Sequence, residues 1–104
     1  MLQVGTALMI ANKINKECNN RYNYVFNRTH LNCSIARLDN EIGFSSIRGG
    51  SLVGEHTVLF LGENETIELT HTANSRNIYI EGALAAAKFI ITKKNGMYSM
   101  DDLV

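Results

Sequence analysis

Gly54-Glu55-His56-Thr57-Val58-Leu59-Phe60-Leu61, then Gly62-Glu63-Asn64-Glu65, then Thr66-Ile67-Glu68-Leu69-Thr70-His71-Thr72 reads as two strands and a turn. In the second run Ile67, Leu69 and His71 or Thr72 alternate with Glu68 and Thr70, the period of a strand that buries one face. Gly62 to Glu65 supplies the hairpin turn. Glu55 and His56 are adjacent in a strand, so their side chains point to opposite faces and form no dyad. Upstream, Ile42 to Arg48 reads as a third strand, and each strand of this length spans roughly 23 Å. Arg48-Gly49-Gly50-Ser51 then turns the chain. A basic residue beside two glycines is equally how a backbone approaches an anion, and spacing alone leaves both readings open.

Helices flank these strands. From Gly5 to Lys16 the residues Ala7, Met9, Ile10, Ala11 and Ile14 form a helical stripe, with Asn12, Lys13 and Lys16 outside it. Thr6 is placed to cap this helix. Gly5-Thr6 also opens it, where free N–H groups and the helix dipole favour an anion such as a carboxylate. A second helix is expected from Arg76 to Lys93, capped by Asn74 or Ser75, with a stripe of Ile80, Leu84, Ala87 and Ile91. Its alanines favour helix, Lys93 and Lys94 suit its negative end, and Gly96 serves as a stop. Ser99 with Asp102 resembles a capping box with Asp in place of Glu. Between Asn19 and Asp39 the chain is polar, apart from Tyr22, Tyr24 and Phe26, which alternate as a short strand would. The expected order is helix, three antiparallel strands, helix. That is the α+β class, with a mostly antiparallel sheet of about three to four strands packed with two main helices in one domain over 1–104.

Ten basic residues balance ten acidic ones, which removes any sequence-independent attraction to nucleic acid or anionic lipid. No apolar run approaches the roughly 20 residues that cross a bilayer, and no signal peptide is apparent, so a cytoplasmic chain is expected. Asn27-Arg28-Thr29, Asn32-Cys33-Ser34 and Asn64-Glu65-Thr66 match the glycosylation pattern, which has no meaning in that compartment. Cys18 and Cys33 are expected as reduced thiols. His30 and Cys33 fall short of a four-ligand metal site, and no metal is expected. His71 and Arg76 flank the turn into the second helix, where a guanidinium suits a phosphate or a neighbouring subunit. No Ser–His–Asp order, Walker loop or dinucleotide G-x-G-x-x-G occurs.

Three separated stretches, in order, carry a resemblance: Glu41-Ile42-Gly43-Phe44 through Ile47-Arg48-Gly49-Gly50 to Gly54-Glu55-His56-Thr57-Val58; Ile67-Glu68-Leu69-Thr70-His71-Thr72-Ala73-Asn74-Ser75-Arg76; and Gly82-Ala83 on to Gly96-Met97-Tyr98-Ser99-Met100-Asp101-Asp102. They resemble dihydrodipicolinate reductase, an enzyme of lysine and diaminopimelate biosynthesis. Gly5-Thr6-Ala7-Leu8 is similar to the end of that family's Ser-Gly-Thr-Ala substrate loop. The resemblance covers nearly the whole chain apart from 18–40, and it is to the family's second half only, the part that binds the cyclic dicarboxylate and builds a homotetramer.

The resemblance implies Gly5 and Thr6 as substrate-carboxylate binders, and Arg76 with Tyr79 as residues facing the cofactor domain. It implies NADPH or NADH for the full-length family and no cofactor on this chain, self-association through the sheet, and a small dicarboxylate substrate. The family's catalytic His-His pair and Lys precede the substrate loop, upstream of Met1, so no catalytic residue is assigned and the chain by itself is expected to be inactive. Where the family reads Asp-Ala-Pro-Ser, this chain reads Met1-Leu2-Gln3-Val4. GAT GCT CCA AGT read one base later gives ATG CTC CAA GTG, which is Met-Leu-Gln-Val. Residues 1–4 are therefore expected to be frame-shifted loop codons of an interrupted gene, which sequencing upstream tests. The alternative from another class is a non-catalytic homo-oligomerising module with no ligand.

Overall fold

Asn19 and Asn20 adopt φ of 58° and 55°, the left-handed region that asparagine tolerates because its short side chain bonds locally. They end the first helix, α1 (Gly5–Glu17), with the Asn20 N–H closing onto the Asn15 carbonyl at 2.7 Å. The side chain of Asn15 then holds the exit. Its Nδ2 donates to the Tyr22 carbonyl at 3.1 Å and its Oδ1 accepts from the Tyr22 N–H at 3.0 Å. Sequence places Thr6 as the cap of α1, but Thr6 lies inside the first turn, because helical geometry already holds at Gly5.

The computed structural model describes residues 5–26, 28 and 36–104, and the chain divides into two compact units at Gly50/Ser51. His30, Cys33, the sites at Asn27 and Asn32, and the frame-shift reading of residues 1–4 lie outside the described residues.

In the first unit, β1 (Asn23–Phe26) pairs in parallel with β2 (Glu41–Phe44), in the register Tyr24↔Ile42 and Phe26↔Phe44. Residues 27–40 make the connection, which satisfies the dozen or so residues that a parallel crossover needs. Phe44, 7% exposed, stacks on Phe26 at 4.8 Å and meets Tyr24 edge-on at 5.2 Å. Burying such a ring stabilises by about 2–3 kcal/mol. The Tyr24 hydroxyl donates to Asn12 Oδ1 on α1 at 2.6 Å. Arg28 forms an ion pair with the Glu41 carboxylate, which also accepts the Leu38 N–H at 3.3 Å, while Arg37 Nη2 donates to the Glu41 carbonyl at 2.7 Å.

In the second unit, β3 (Gly54–Leu61) and β4 (Thr66–Ala73) form the antiparallel hairpin, closed by Gly62 N–H to Glu65 carbonyl at 2.8 Å. The register places Gly54↔Ala73, His56↔His71, Val58↔Leu69 and Phe60↔Ile67 on one face, since alternate residues share a face. The other face carries Glu55↔Thr72, Thr57↔Thr70, Leu59↔Glu68 and Leu61↔Thr66. Helix α2 (Asn77–Ile90) begins directly after the hairpin. Its Tyr79 hydroxyl stands 3.0 Å from where a Gly54 side chain would begin, so α2 approaches the first of these faces at its Gly54–Ala73 end. A short α3 (Met100–Leu103) follows, its start fixed by Asp102, which accepts the Ser99 N–H at 2.7 Å and the Ser99 hydroxyl at 3.1 Å. That is the Ser-Asp box legible in the sequence.

The α+β class holds, with three helices and four strands among the described residues. The sheet differs in detail from the expectation. The stretch read as Ile42–Arg48 is strand only to Phe44, and it pairs in parallel with β1 rather than extending the antiparallel hairpin. Aromatic contacts to Phe44 favour that partner. α2 is shorter than expected, and Arg76 stands at its cap. Ser75 still serves it by accepting the Asn77 N–H at 3.2 Å. Lys93 lies past the helix end with its ammonium over the Phe89 ring at 4.7 Å. The stripe Ile80, Leu84, Ala87 and Ile91 is exposed, and only Ala86 and Phe89 of α2 are half-buried.

Candidate functional site

Gly5 and Thr6 occupy the first turn of α1, both exposed, and that turn has no acidic residue. The first four N–H groups of a helix lack intrahelical partners, and the dipole places about half a positive charge there. Among the described residues, and apart from its chain neighbours, a side chain added at Gly5 would meet nothing within 4 Å. The first turn of α1 thus offers donors and positive potential suited to a carboxylate.

Arg48, Gly49 and Gly50 follow β2 in the same unit and are exposed. Gly50 has φ of 57°, a conformation in which a side chain would be strained, and Gly49 does not. That geometry is shared by a tight turn and by a backbone nest that binds an anion, so both readings of the motif stand. Arg76 and Tyr79 belong to the second unit. The Arg76 carbonyl accepts the Tyr79 N–H at 3.0 Å, and the Tyr79 ring reaches back to Gly54. The candidate residues therefore fall into the two units, Gly5, Thr6 and Arg48 to Gly50 in one, Arg76 and Tyr79 in the other.

A shallow polar concavity lies between the end of α1 and β1, lined by Asn12, Asn15, Lys16, Asn20 and Tyr24. Asn12 and Asn15 already spend side-chain oxygens on Tyr24 and Tyr22, so this hollow is built chiefly to hold the chain to itself. Among the described residues, no group of three or more His, Cys, Asp or Glu could hold a metal, and no helix is long and apolar enough to cross a membrane. The turn from β4 into α2 reads Asn74-Ser75-Arg76, without the glycines that let a backbone cradle a dinucleotide pyrophosphate.

Two features escaped the sequence reading. Glu41 gathers Arg28, Arg37 and the Leu38 N–H at the base of β2; the excess of arginine in an otherwise polar stretch was its only signal. His56 and His71 face each other across the hairpin. The four-residue turn fixes that register, because Leu61 opposite Thr66 makes every facing pair follow.

Comparison with known proteins bears on all of this. The family described as "Dihydrodipicolinate reductase, C-terminus" matches residues 4–104. The chain is 49% identical to the 4-hydroxy-tetrahydrodipicolinate reductase of Caldanaerobacter subterraneus subsp. tengcongensis, over 96% of this chain and 39% of that protein. It is 47% identical to the Clostridium novyi protein of the same name, over 96% of this chain and 38% of that one. For the Brachyspira hyodysenteriae protein of that name the identity is 43%, over 96% and 42%. The chain thus spans about two fifths of the length of these curated relatives.

Proposed function

Because the chain belongs to the dihydrodipicolinate reductase C-terminal family, we propose that residues 1–104 form the substrate-holding and self-associating part of a cytoplasmic 4-hydroxy-tetrahydrodipicolinate reductase. In this reading the N–H groups of Gly5 and Thr6 donate to one carboxylate of a cyclic dicarboxylate, and the α1 dipole adds about 0.3–1 kcal/mol of attraction. The observation that supports it is the acid-free first turn of α1 at the residues that resemble the family's substrate loop. Arg76 and Tyr79 face the part of the enzyme that bears the cofactor. NADPH or NADH supplies hydride there, and no step of that transfer is routed through the residues described here. Assayed alone, the 104 residues are expected to bind a dicarboxylate weakly and to reduce nothing.

The exposed apolar side chains support the self-association in this reading. Among the described residues the buried hydrophobics are Ala11, Phe44 and Ala73 alone, in a chain that is 45% hydrophobic. Val58, Phe60, Ile67 and Leu69 form a lane on one face of the hairpin, and Phe60, Ile67 and Leu69 are exposed. Since no carboxylate, lysine or arginine of the hairpin shares that face, a second identical lane can cover it without leaving a charge unpaired. The second reading, an assembly module with no ligand, shares this lane and differs only at α1. A thermal-shift titration with pyridine-2,6-dicarboxylate separates them. A rise in Tm with ligand supports the substrate site, and a flat response leaves the assembly module.

A further inference from the structure

Two imidazoles stand at directly opposed positions of the hairpin, His56 on β3 and His71 on β4. They share the face of Val58, Phe60, Ile67 and Leu69, while Glu55 and Glu68 lie on the opposite one. Directly opposed residues of an antiparallel pair have Cβ atoms about 4.5–5.5 Å apart, where like charges repel. His56 is half-buried and His71 exposed. On the hairpin side, the lane offers these rings no carboxylate. From α2, the Tyr79 hydroxyl reaches the lane at Gly54, and Arg76 adds a fixed positive charge to the segment that leaves it. The imidazole pair therefore stands between the end of the lane that α2 approaches and the open apolar stretch.

We propose that this facing pair makes self-association sensitive to protons: a second copy covers the lane while both rings are neutral, and acid releases it. The inference rests on the self-association proposed above and adds its regulation. Burying an imidazolium without a partner is unfavourable, and two facing imidazolium ions repel as well. The covered lane thus excludes protons that the separated chains accept. Assembly is complete above the range in which imidazoles titrate and is lost as pH falls through it. Each excluded proton weakens association by up to about tenfold per pH unit.

Sedimentation equilibrium of the 104-residue chain at about pH 7.5, 6.5 and 5.5, with circular dichroism at each pH, tests this. The dissociation constant is expected to rise at least about tenfold from the highest pH to the lowest at unchanged secondary structure. His30→Gln should keep that dependence. The double variant His56→Gln/His71→Gln should lose it and stay assembled in acid. If the double variant fails to fold, His71→Gln alone, at an exposed position, should show a shallower slope. A chain that assembles equally at every pH, or a variant with the slope of the parent, overturns the proton-sensitive pair and leaves self-association standing. A chain that is monomeric even at about pH 7.5 overturns the self-association reading itself, and this inference with it.

Discussion

Replacing Leu69 by lysine puts a charge in the middle of the hairpin lane, opposite Val58 and beside Ile67 and His71 on the same face. Leu69 is 60% exposed in the single chain. Fully burying a leucine side chain is worth about 1.5–3 kcal/mol, so covering the remaining exposure contributes about 1–2 kcal/mol per copy. Two copies meeting through the same face lose about 2–4 kcal/mol, or roughly thirtyfold to a thousandfold in the dissociation constant. Desolvation of the two ammonium groups adds to that loss. The assay is sedimentation equilibrium of Leu69→Lys against the parent at about pH 7.5, with far-UV circular dichroism as the check on folding. Thr72→Lys is the control, since Thr72 is exposed on the opposite face and pairs with Glu55, where a lysine is tolerated or mildly favoured. If Leu69→Lys folds and leaves the association curve unchanged, the lane is not the contact. If Thr72→Lys does the damage instead, the Thr57–Thr70 face is the one that meets the partner.

Phe44→Ala removes the ring that holds β1 to β2, at an expected cost near 3 kcal/mol. That is the low end for such truncations, because Phe26 is itself half exposed and can settle into the gap; urea unfolding of the variant measures it. Gly5→Asp places a carboxylate at the first turn of α1, where no described residue beyond its chain neighbours stands within 4 Å of the new side chain's first carbon. It should stabilise the helix by about 0.3–1 kcal/mol in thermal melts while abolishing the Tm rise with pyridine-2,6-dicarboxylate. The Asp102 carboxyl lies below its ordinary range because the Ser99 N–H, and then the Ser99 hydroxyl, bond to its charged form. A lowered carboxylate contributes stability above its unfolded value and loses it as pH falls through the folded one, so α3 should fray only in acid below the usual aspartate range. The amide resonance of Ser99 followed through an acid titration reports this, and Asp102→Asn should remove the transition.

Much of the architecture could be read from local pattern. The stripe Ala7, Ile10, Ala11 and Ile14 gave α1, the alternation of Ile67 with Glu68 and Leu69 gave β4, and Ser99 with Asp102 gave the start of α3. These features depend on neighbours within a few residues. The pairing of Tyr24 with Ile42 does not. It joins residues on either side of a polar crossover, and the aromatic contacts that select it, Phe26 and Tyr24 on Phe44, have no signature in either segment alone. The same limit applies to Thr6, whose place inside the first turn rather than at its cap depends on the backbone before it. That Gly5 and Thr6 open α1 was legible because it follows from the helical stripe itself, whereas the positive φ of Gly50 beside Gly49 shows only in the structure.

Periodicity states which side of an element is apolar and leaves open what lies against it. Helix α2 shows the difference. Its stripe of Ile80, Leu84 and Ile91 is as regular as that of α1, yet Leu84 is 58% exposed while Ala11 of α1 is 4% exposed. Propensity does not separate the two, since the alanines of α2 make it the stronger helix former. What separates them is a partner: α1 is tied to β1 through Asn12 and Asn15, whereas the contact seen for α2 on the hairpin is Tyr79 at Gly54, at one end. Within the second unit, that stripe of α2 and Phe60, Ile67 and Leu69 of the lane stay exposed. On the self-association proposed above, a second copy would cover this lane with the same pattern, and Leu69→Lys is the substitution that tests it.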